Sequence, residues 1–496
     1  MNLPISFVQE RTLPAAPLAV SLLLLLTGCM VGPAYKRPAA IVPPAFKEPP
    51  PAGWKQAQPN DGAMRGKWWE MYGDPDLNAL EERVVVGNQN ILALEAQFRA
   101  ARESVRVARA ALFPTLSAGA AITNSRTSAI GGVSFSGAGG SPVRTNYEIP
   151  SLTFSWTADV WGSIRRSIQA SAENAQATAA QIETVKLALQ SELALDYFEL
   201  HGLDTNLELF ESTVKSFEEF LTLTQNRFRG GVATGADVAQ AETQLATARA
   251  QLTDLGVARA QFEHAIAILT GRPPAELTIA RKSLAAPPPP IPEAVPSALL
   301  ERRPDIAQVE RLMAAQNEQI GIAHAAFYPT IGLNGTVGLQ RSKFADLFTW
   351  PSRFWSLGPT ASELIFDAGR RRALIREQEA LFDAQTANYR QAVLTAFQQV
   401  EDALSALRIL EVETGEIQAA VAAAQRSLDI STAQYKAGTV AYLQVITSQT
   451  ALLQNQRGAV DVLTRRLTSS VNLIQAMGGG FDSSQLPTVE SIKKGT

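Results

Sequence analysis

The sequence predicts an α+β fold in which one unit, a pair of β-strands followed by long coiled-coil helices, occurs twice. Three observations predict it. Landmark motifs recur in the same order in both halves, short segments alternate apolar and polar residues, and long segments rich in Ala and Leu lack proline. The 496 residues are 46% hydrophobic and 18% charged, which is typical of a folded protein, and the net charge of −3 argues against a nucleic-acid partner.

Residues 1–28 have the features of a secretory signal peptide: Arg11, an apolar run at 18–26 that is too short to span a bilayer as a helix, and small residues before Cys29. The tetrapeptide Leu-Thr-Gly-Cys that ends at Cys29 resembles a bacterial lipobox. The resemblance implies that Cys29 becomes the first residue and carries diacylglycerol and an N-palmitoyl chain. Met30 in place of Asp suits sorting to the outer membrane. The alternative is a chance cysteine beside an ordinary signal peptide.

Proline content divides the mature chain. Residues 29–66 are predicted to form an extended tether without a core, and the proline run at 286–298 to form a stiff linker. The linker separates a first repeat at 67–285 from a second at 299–480, and 481–496 form a C-terminal tail. Three landmarks recur in the two repeats: Phe113-Pro114-Thr115 as Tyr328-Pro329-Thr330, Asp159-Val160-Trp161-Gly162 as Asp367-Ala368-Gly369, and Phe228-Arg229-Gly230-Gly231 as Tyr435-Lys436-Ala437-Gly438.

Alternating apolar and small polar residues predict two strands in each repeat, at about 115–123 and 151–161 and at about 330–340 and 355–366. Each is close to the roughly 9–11 residues that a tilted strand needs to cross a membrane. A half-buried sheet shows the same alternation. The signal peptide, together with the absence of any later apolar run long enough for a spanning helix, favours membrane strands.

Long helices follow the strands. Residues 162–228 contain no proline and one later glycine, Gly202, so a helix there could extend on the order of 100 Å. Leu200, Leu203 and Leu207 begin a series of apolar residues spaced by three and four, which is typical of a coiled-coil seam. A compact helical bundle and a wall of helices packed side by side both fit this pattern.

Several motifs, in this order along the chain, resemble the TolC-like outer-membrane factors, in particular the lipoprotein branch that serves resistance-nodulation-division efflux pumps. They are Cys29-Met30-Val31-Gly32-Pro33-Ala34-Tyr35, Trp68-Trp69 followed by Asp74-Pro75-Asp76-Leu77, the Phe-Pro-Thr and Tyr-Pro-Thr helix ends, the two glycine-bearing helix turns and the duplication itself. The resemblance covers nearly the whole mature chain.

The resemblance implies a homotrimer whose four strands per chain close a twelve-stranded β-barrel in the outer membrane, continued by a periplasmic α-helical barrel. It implies a passive exit duct for drugs or other small molecules, supplied by an inner-membrane pump of the resistance-nodulation-division class through a periplasmic adaptor. The strand count alone also demands an oligomer, because an open sheet edge is not viable in lipid.

The turns at about 229–235 and 436–440 break the longest helices, and glycine there provides the left-handed conformation that ends a helix. The resemblance implies more, namely that these turns are periplasmic tips that bind the adaptor. The residues expected to take part are Gly231, Gly438, Arg229, Lys436 and Thr439. A plain helix stop without a docking role is the alternative.

The resemblance also implies a periplasmic gate in which Asp237 bonds to Tyr435 on the other hairpin. An acid in the first turn of a helix is favourable as a cap in any case, so capping alone remains an alternative. Well-known family members carry one arginine and two aspartates on the second hairpin. The matching positions here hold Val440, Gln444 and Thr447. The predicted gate residues are therefore Asp237, Tyr435, Gln444 and Thr447, without an ionic latch.

Other functions remain as alternatives. A catalytic role is not expected, because His201, His264 and His324 lie far apart in the sequence without a carboxylate or cysteine constellation around them. Neither a metal nor a cofactor other than the covalent lipid is expected. A trimeric coiled-coil lipoprotein tether would explain the seams but not the paired strands. An outer-membrane duct for type I protein secretion or metal export would explain both.

Overall fold

The computed structural model describes residues 30–40, 42–48, 66–125, 144–284, 286–291 and 299–494. The predicted signal peptide and the predicted lipidation site Cys29 lie outside these residues. So do the loop after the first strand and most of the predicted linker.

Helices and strands follow the same order in both repeats. The first repeat contains α1 (Pro75–Gly87), α2 (Gln89–Ala110), β1 (Thr115–Ser125), β2 (Arg144–Ala158), α3 (Ser163–Arg229) and α4 (Gly235–Leu269). The second contains α5 (Leu299–Arg302), α6 (Pro304–Ala325), β3 (Thr330–Arg341), β4 (Arg353–Ser362), α7 (Arg370–Lys436) and α8 (Tyr442–Ala476), and a short α9 (Val489–Lys494) follows.

The strands and the longest helices are joined by the same turn in both repeats. Gly162 and Gly369 precede α3 and α7 with φ of 81° and 85°, a left-handed conformation that glycine adopts without strain. Asp159 accepts hydrogen bonds from two amides in the first turn of α3, at 2.9 Å each, and Asp367 accepts one from the first turn of α7 at 3.1 Å. The recurring Asp and Gly therefore start each 67-residue helix.

The four strands form one antiparallel sheet in the order β1-β2-β3-β4. Its register gives it two chemically different faces, because side chains alternate along each strand. One face is apolar and includes Leu116, Leu152, Phe154, Trp156, Leu333, Val337, Trp355 and Leu357. The other is polar and includes Ser117, Thr153, Ser155, Asn334, Thr336, Ser356 and Thr360. Asn334 links this face by hydrogen bonds to Ser155 at 2.9 Å and Thr360 at 3.2 Å.

Two strands differ in extent from the sequence-based prediction. The second begins at residue 144 and not at 151, because residues 144–148 pair with the end of β1. The pairing of β2 with β3 shifts register between Glu148 and Leu152. This irregularity accommodates Pro150, which has no N–H for the ladder. The fourth strand ends at Ser362 and not at 366, because its partner β3 begins only at Thr330, directly after Pro329.

A shared apolar core lies near the middle of the long helices, where α1, α3, α6, α7 and α8 meet. Trp68, Tyr197, Met313, Val393 and Val471 are among its buried members. Residues of both repeats contribute, so the repeats fold around one core. Among the described residues, no helix combines the length and the apolar character that a transmembrane helix requires.

The described parts of the N-terminal segment, residues 30–40 and 42–48, lie along these helices. Its Val31 amide donates to the carbonyl of Trp161 at 3.2 Å, next to the strand ends. Further along, Arg37 donates to the Tyr389 hydroxyl at 3.1 Å. At its far end the Glu401 carboxylate accepts hydrogen bonds from the amides of residues 47 and 48, at 2.6 and 2.9 Å. The predicted tether is thus docked on both repeats over its described residues.

Candidate functional site at the hairpin tips

Each repeat ends its longest helix in a glycine turn at the end of the molecule far from the sheet. Gly231 and Gly438 have φ of 75° and 79°, which explains the glycine at each position. Backbone hydrogen bonds close the turns, from the Val232 amide to the Arg227 carbonyl at 2.9 Å and from the Thr439 amide to the Gln434 carbonyl at 3.0 Å. A side-chain carbon added to Gly231 would meet open space. The backbone of this tip is therefore accessible to another molecule.

The other predicted docking residues are exposed at these turns. Arg229 hydrogen-bonds to the side chain of Asn226 within its own helix, and the Thr439 hydroxyl donates to the Gln434 carbonyl at 3.0 Å. Lys436 is exposed, and its carbonyl accepts a hydrogen bond from the first hairpin. The tips therefore present two cations and two glycine turns at one end of the molecule.

Asp237 caps α4. The Thr234 hydroxyl accepts a hydrogen bond from the Asp237 amide at 3.2 Å, and the Asp237 carboxylate accepts from the Thr234 amide at 2.8 Å. This is a complete capping box. The same carboxylate oxygen also accepts from the Thr234 hydroxyl at 2.8 Å.

Tyr435 lies between the two hairpins, but it faces a different residue from the one expected. Only 4% of the residue is exposed, and its hydroxyl lies 3.4 Å from the Thr224 hydroxyl on α3. Among the described residues, no hydrogen bond links Tyr435 to Asp237. The expected Asp237–Tyr435 bond is thus not formed within this chain, because the carboxylate is engaged by Thr234 and the phenol faces α3.

Arg227 joins the hairpins and was not predicted from the sequence. Its guanidinium carbon lies 4.6 Å from the centre of the Tyr435 ring, and its Nη1 donates to the Lys436 carbonyl at 3.2 Å. This clasp, formed by Arg227, Tyr435 and the Lys436 carbonyl, connects the last turn of α3 to the last turn of α7. A sequence signal was present, since Arg227 directly precedes the Phe228 landmark that recurs as Tyr435.

Below the clasp, aromatic side chains continue the contact between the hairpins. The Tyr435 and Tyr442 rings lie 5.4 Å apart, and Phe220 lies 6.5 Å from Tyr442. Burial, and then the neighbouring Tyr435 and Asp237, raise the pKa of Tyr442 to about 12, so this phenol stays neutral at physiological pH. Below the clasp, the hairpins are thus held together by aromatic rings and neutral groups.

The other two predicted gate residues lie on the surface of the second hairpin. Gln444 and Thr447 are exposed on α8, and the Thr447 hydroxyl donates to the Leu443 carbonyl at 2.9 Å. Gln444 lines an open groove of about 720 Å³ together with Ile430 and Val440. Neither residue contacts Tyr435 or Asp237 through a hydrogen bond in the described part of the chain.

One of the three histidines has an acidic partner that the sequence analysis did not expect. His201 Nδ1 lies 3.0 Å from Asp204, which is one helical turn further on. Arg259 shares the same carboxylate at 2.7 Å, so the cluster is a buried ion pair between α3 and α4. Among the described residues, no group of three or more His, Cys, Asp or Glu could hold a metal ion.

Comparison with known proteins gives a family for this arrangement. The family described as "Outer membrane efflux protein" matches residues 81–272 and 295–479. The chain is 30% identical over 467 residues to the outer membrane protein OprJ of Pseudomonas aeruginosa, covering 94% of this chain and 95% of the relative. It is also 30% identical over 443 residues to the pyoverdine export outer membrane protein OpmQ of the same species, covering 87% and 92%.

Among solved structures, the outer-membrane channel OprN superimposes with a TM-score of 0.82 at 28% identity, covering 91% of this chain and 99% of that one. The two-part match corresponds to the two repeats on either side of the proline-rich linker. The fold is that of the TolC-like outer-membrane channels. The chain therefore belongs to the outer membrane efflux protein family.

Proposed function

We propose that three copies of the chain form the outer-membrane exit duct of a tripartite efflux system and conduct small molecules passively to the outside. The observation that carries the proposal is the four-stranded sheet. Its edge strands β1 and β4 have no partner among the described residues. Unpaired backbone is costly in lipid, so each edge must pair with another copy of the chain. Three copies supply twelve strands.

The faces of the sheet suit this assembly. Leu116, Trp355 and Leu357 lie on the apolar face and are exposed in the single chain, as lipid-facing residues of a barrel would be. The polar face carries hydroxyl and amide groups that can line a water-filled passage. The 67-residue helices α3 and α7 begin directly at the inner ends of the strands and can continue the passage into the periplasm.

A lipid anchor on Cys29 agrees with the position of the next residue. A side-chain carbon added to Gly162 would meet Met30 at 2.8 Å, so Met30 lies against the turn between β2 and α3. Met30 therefore lies at the level at which the strands would leave the membrane. Diacylglycerol and N-palmitoyl chains on Cys29 would enter the inner leaflet beside the barrel.

At the other end, the tips at Gly231 and Gly438 are the proposed docking site of a periplasmic adaptor, which links the duct to an inner-membrane pump of the resistance-nodulation-division class. The exposed Arg229, Lys436 and Thr439 flank them. The clasp between Arg227 and Tyr435 holds the two hairpins in the resting position, and Gln444 and Thr447 lie on the surface of the second hairpin, free to contact a neighbouring copy. Cargo is chosen by the inner-membrane pump, and the duct conducts it passively.

Electron microscopy of the protein extracted from an outer-membrane fraction tests the assembly. Negatively stained particles should be elongated, with threefold end views and a stain-filled centre. A Cys29→Ser variant should still require detergent for extraction, since a barrel stays in the membrane without its lipid. A coiled-coil tether would give solid particles and would be released from the membrane by that substitution.

A further inference from the structure

The end of the sheet furthest from the helices carries cationic and aromatic side chains on its apolar face. β3 ends in Arg341 and β4 begins at Arg353, and residues 342–352 join them. Arg353 pairs with Leu339, and Trp355 pairs with Val337. Because side chains alternate along a strand, Arg341 follows Leu339 on the same face. Both arginines therefore continue the lipid-facing surface of the sheet at its outer end.

Among the described residues, these cations have no acidic partner. Arg341 Nε donates to the Ser352 hydroxyl at 3.0 Å, and Arg353 Nε donates to the Trp350 carbonyl at 3.3 Å. No carboxylate lies within ion-pair distance of Arg341, Lys343 or Arg353 in the described residues. The connecting loop contains one acid, Asp346, and β1, the edge that a neighbouring copy would bring beside β4, contains none. The remaining N–H groups are therefore available to an anion.

Aromatic rings surround the cations. Trp350 and Trp355 are 80% and 77% exposed, and Phe348 is exposed as well. Phe344 packs edge-on against Tyr147 at 5.7 Å, which fixes the loop on β2. Large exposed rings beside cations are typical of the boundary between hydrocarbon and headgroups, and they are costly on a surface that faces only water.

We propose that this outer rim, defined as Arg341, Lys343, Trp350, Arg353 and Trp355, is a binding site for lipopolysaccharide, the phosphorylated lipid of the outer leaflet. The cations bind its phosphates, since arginine donates paired hydrogen bonds to phosphate oxygens. The Trp rings and the apolar face below them contact its acyl chains. The inference rests on the proposed function, because it requires the sheet to span the outer membrane with this end outside.

Binding of purified lipopolysaccharide to the detergent-solubilised full-length protein, counted by native mass spectrometry, tests the rim. In Arg341→Gln/Arg353→Gln the affinity should fall by roughly tenfold or more. Lipopolysaccharide without its phosphates should also bind the wild-type protein weakly. Its affinity should not exceed that of intact lipopolysaccharide for this variant. The matched control is Arg370→Gln/Arg372→Gln, which removes two exposed arginines in the first turn of α7, the helix that follows the inner end of β4, and should leave the affinity unchanged. An equal loss of lipopolysaccharide affinity in both variants, or no loss in either, would overturn the proposed binding site.

Labelling of intact cells separates failure of the rim from failure of the proposed function. Ala345 is exposed in the loop of the rim, and Cys29 is the natural sequence's single cysteine. Ala345→Cys should react with a maleimide that cannot cross the outer membrane. If it reacts while the rim variant binds lipid normally, the rim proposal alone is wrong. If it does not react, the proposed orientation in the membrane is wrong and the rim proposal is lost with it.

Discussion

Glu81 is fully enclosed by the apolar core near the middle of the helices. Its residue is 0% exposed, and neither carboxylate oxygen has a hydrogen-bond partner. Burial alone raises its pKa well above the ordinary 4.5, which favours the neutral acid in the folded protein. The unfolded chain ionises near the ordinary pKa. The stabilising contribution of the acid form is complete below that value and is lost as the pH rises through the folded-state pKa.

The thermal stability of Glu81→Gln should therefore differ from that of the wild type in a pH-dependent way. The amide cannot ionise, so the variant avoids a loss of about 1.4 kcal/mol for each pH unit between the ordinary pKa and the folded-state pKa. Its Tm should exceed that of the wild type at pH 8, and the difference should shrink towards pH 4.5. The control is Glu82→Gln, an exposed neighbour that pairs with Lys67. A difference in Tm that stays constant across this range would show that Glu81 is ionised in the folded state.

At the scale of helices and strands, the sequence predicted what local chemistry determines. Helix ends at Pro114 and Pro329 and the glycine turns at Gly231 and Gly438 followed from residues at those positions. The extent of β2 could not be predicted in this way, because its register shift depends on pairing with β3, which is distant in the sequence. The partner of Tyr435 was missed for the same reason.

The clasp between the hairpins gives a prediction at this scale. Arg227→Gln removes the contact with the Tyr435 ring and weakens the bond to the Lys436 carbonyl, which together contribute about 1–2 kcal/mol. The hairpins should separate more often, and the resting conductance in planar bilayers should rise roughly tenfold. Asp237→Asn should change it little, because Asp237 caps α4.

The exposed Arg229 provides the matched control for this measurement. It lies two residues beyond Arg227 and bonds within its own helix to Asn226. Arg229→Gln should leave the resting conductance at the wild-type level. If the resting conductance of Asp237→Asn rises as much as that of Arg227→Gln, the result would instead support a gate built on Asp237, as the family resemblance implies.

At the scale of the whole molecule, a buried ion pair and the N-terminal segment fasten the two repeats together. Arg166 of α3 pairs with Glu318 of α6 at 2.8 Å, and both are buried. The arginine side chain lies across Gly321, where any side chain would collide with it at 2.3 Å. Gly32 of the N-terminal segment also packs against the Gly321 backbone. The N-terminal segment thus lies on the seam between the repeats at Gly32.

Gly32→Ala should undo this docking. The residue has φ of 104°, and its added methyl group would lie 2.6 Å from the Cα of Gly321, a backbone atom that cannot move aside cheaply. Strain and overpacking each cost about 1–3 kcal/mol, so the N-terminal segment should detach more often. Tryptic cleavage after the exposed Lys36 should then become at least roughly tenfold faster in the folded protein. Gly66→Ala separates backbone strain from overpacking. Gly66 has φ of 91°, but a side-chain carbon added to it would have no neighbour within 4 Å. Equal rates in the two alanine variants would mean that Gly32 is required for its backbone angle alone, and that its contact with Gly321 does not hold the segment on the seam.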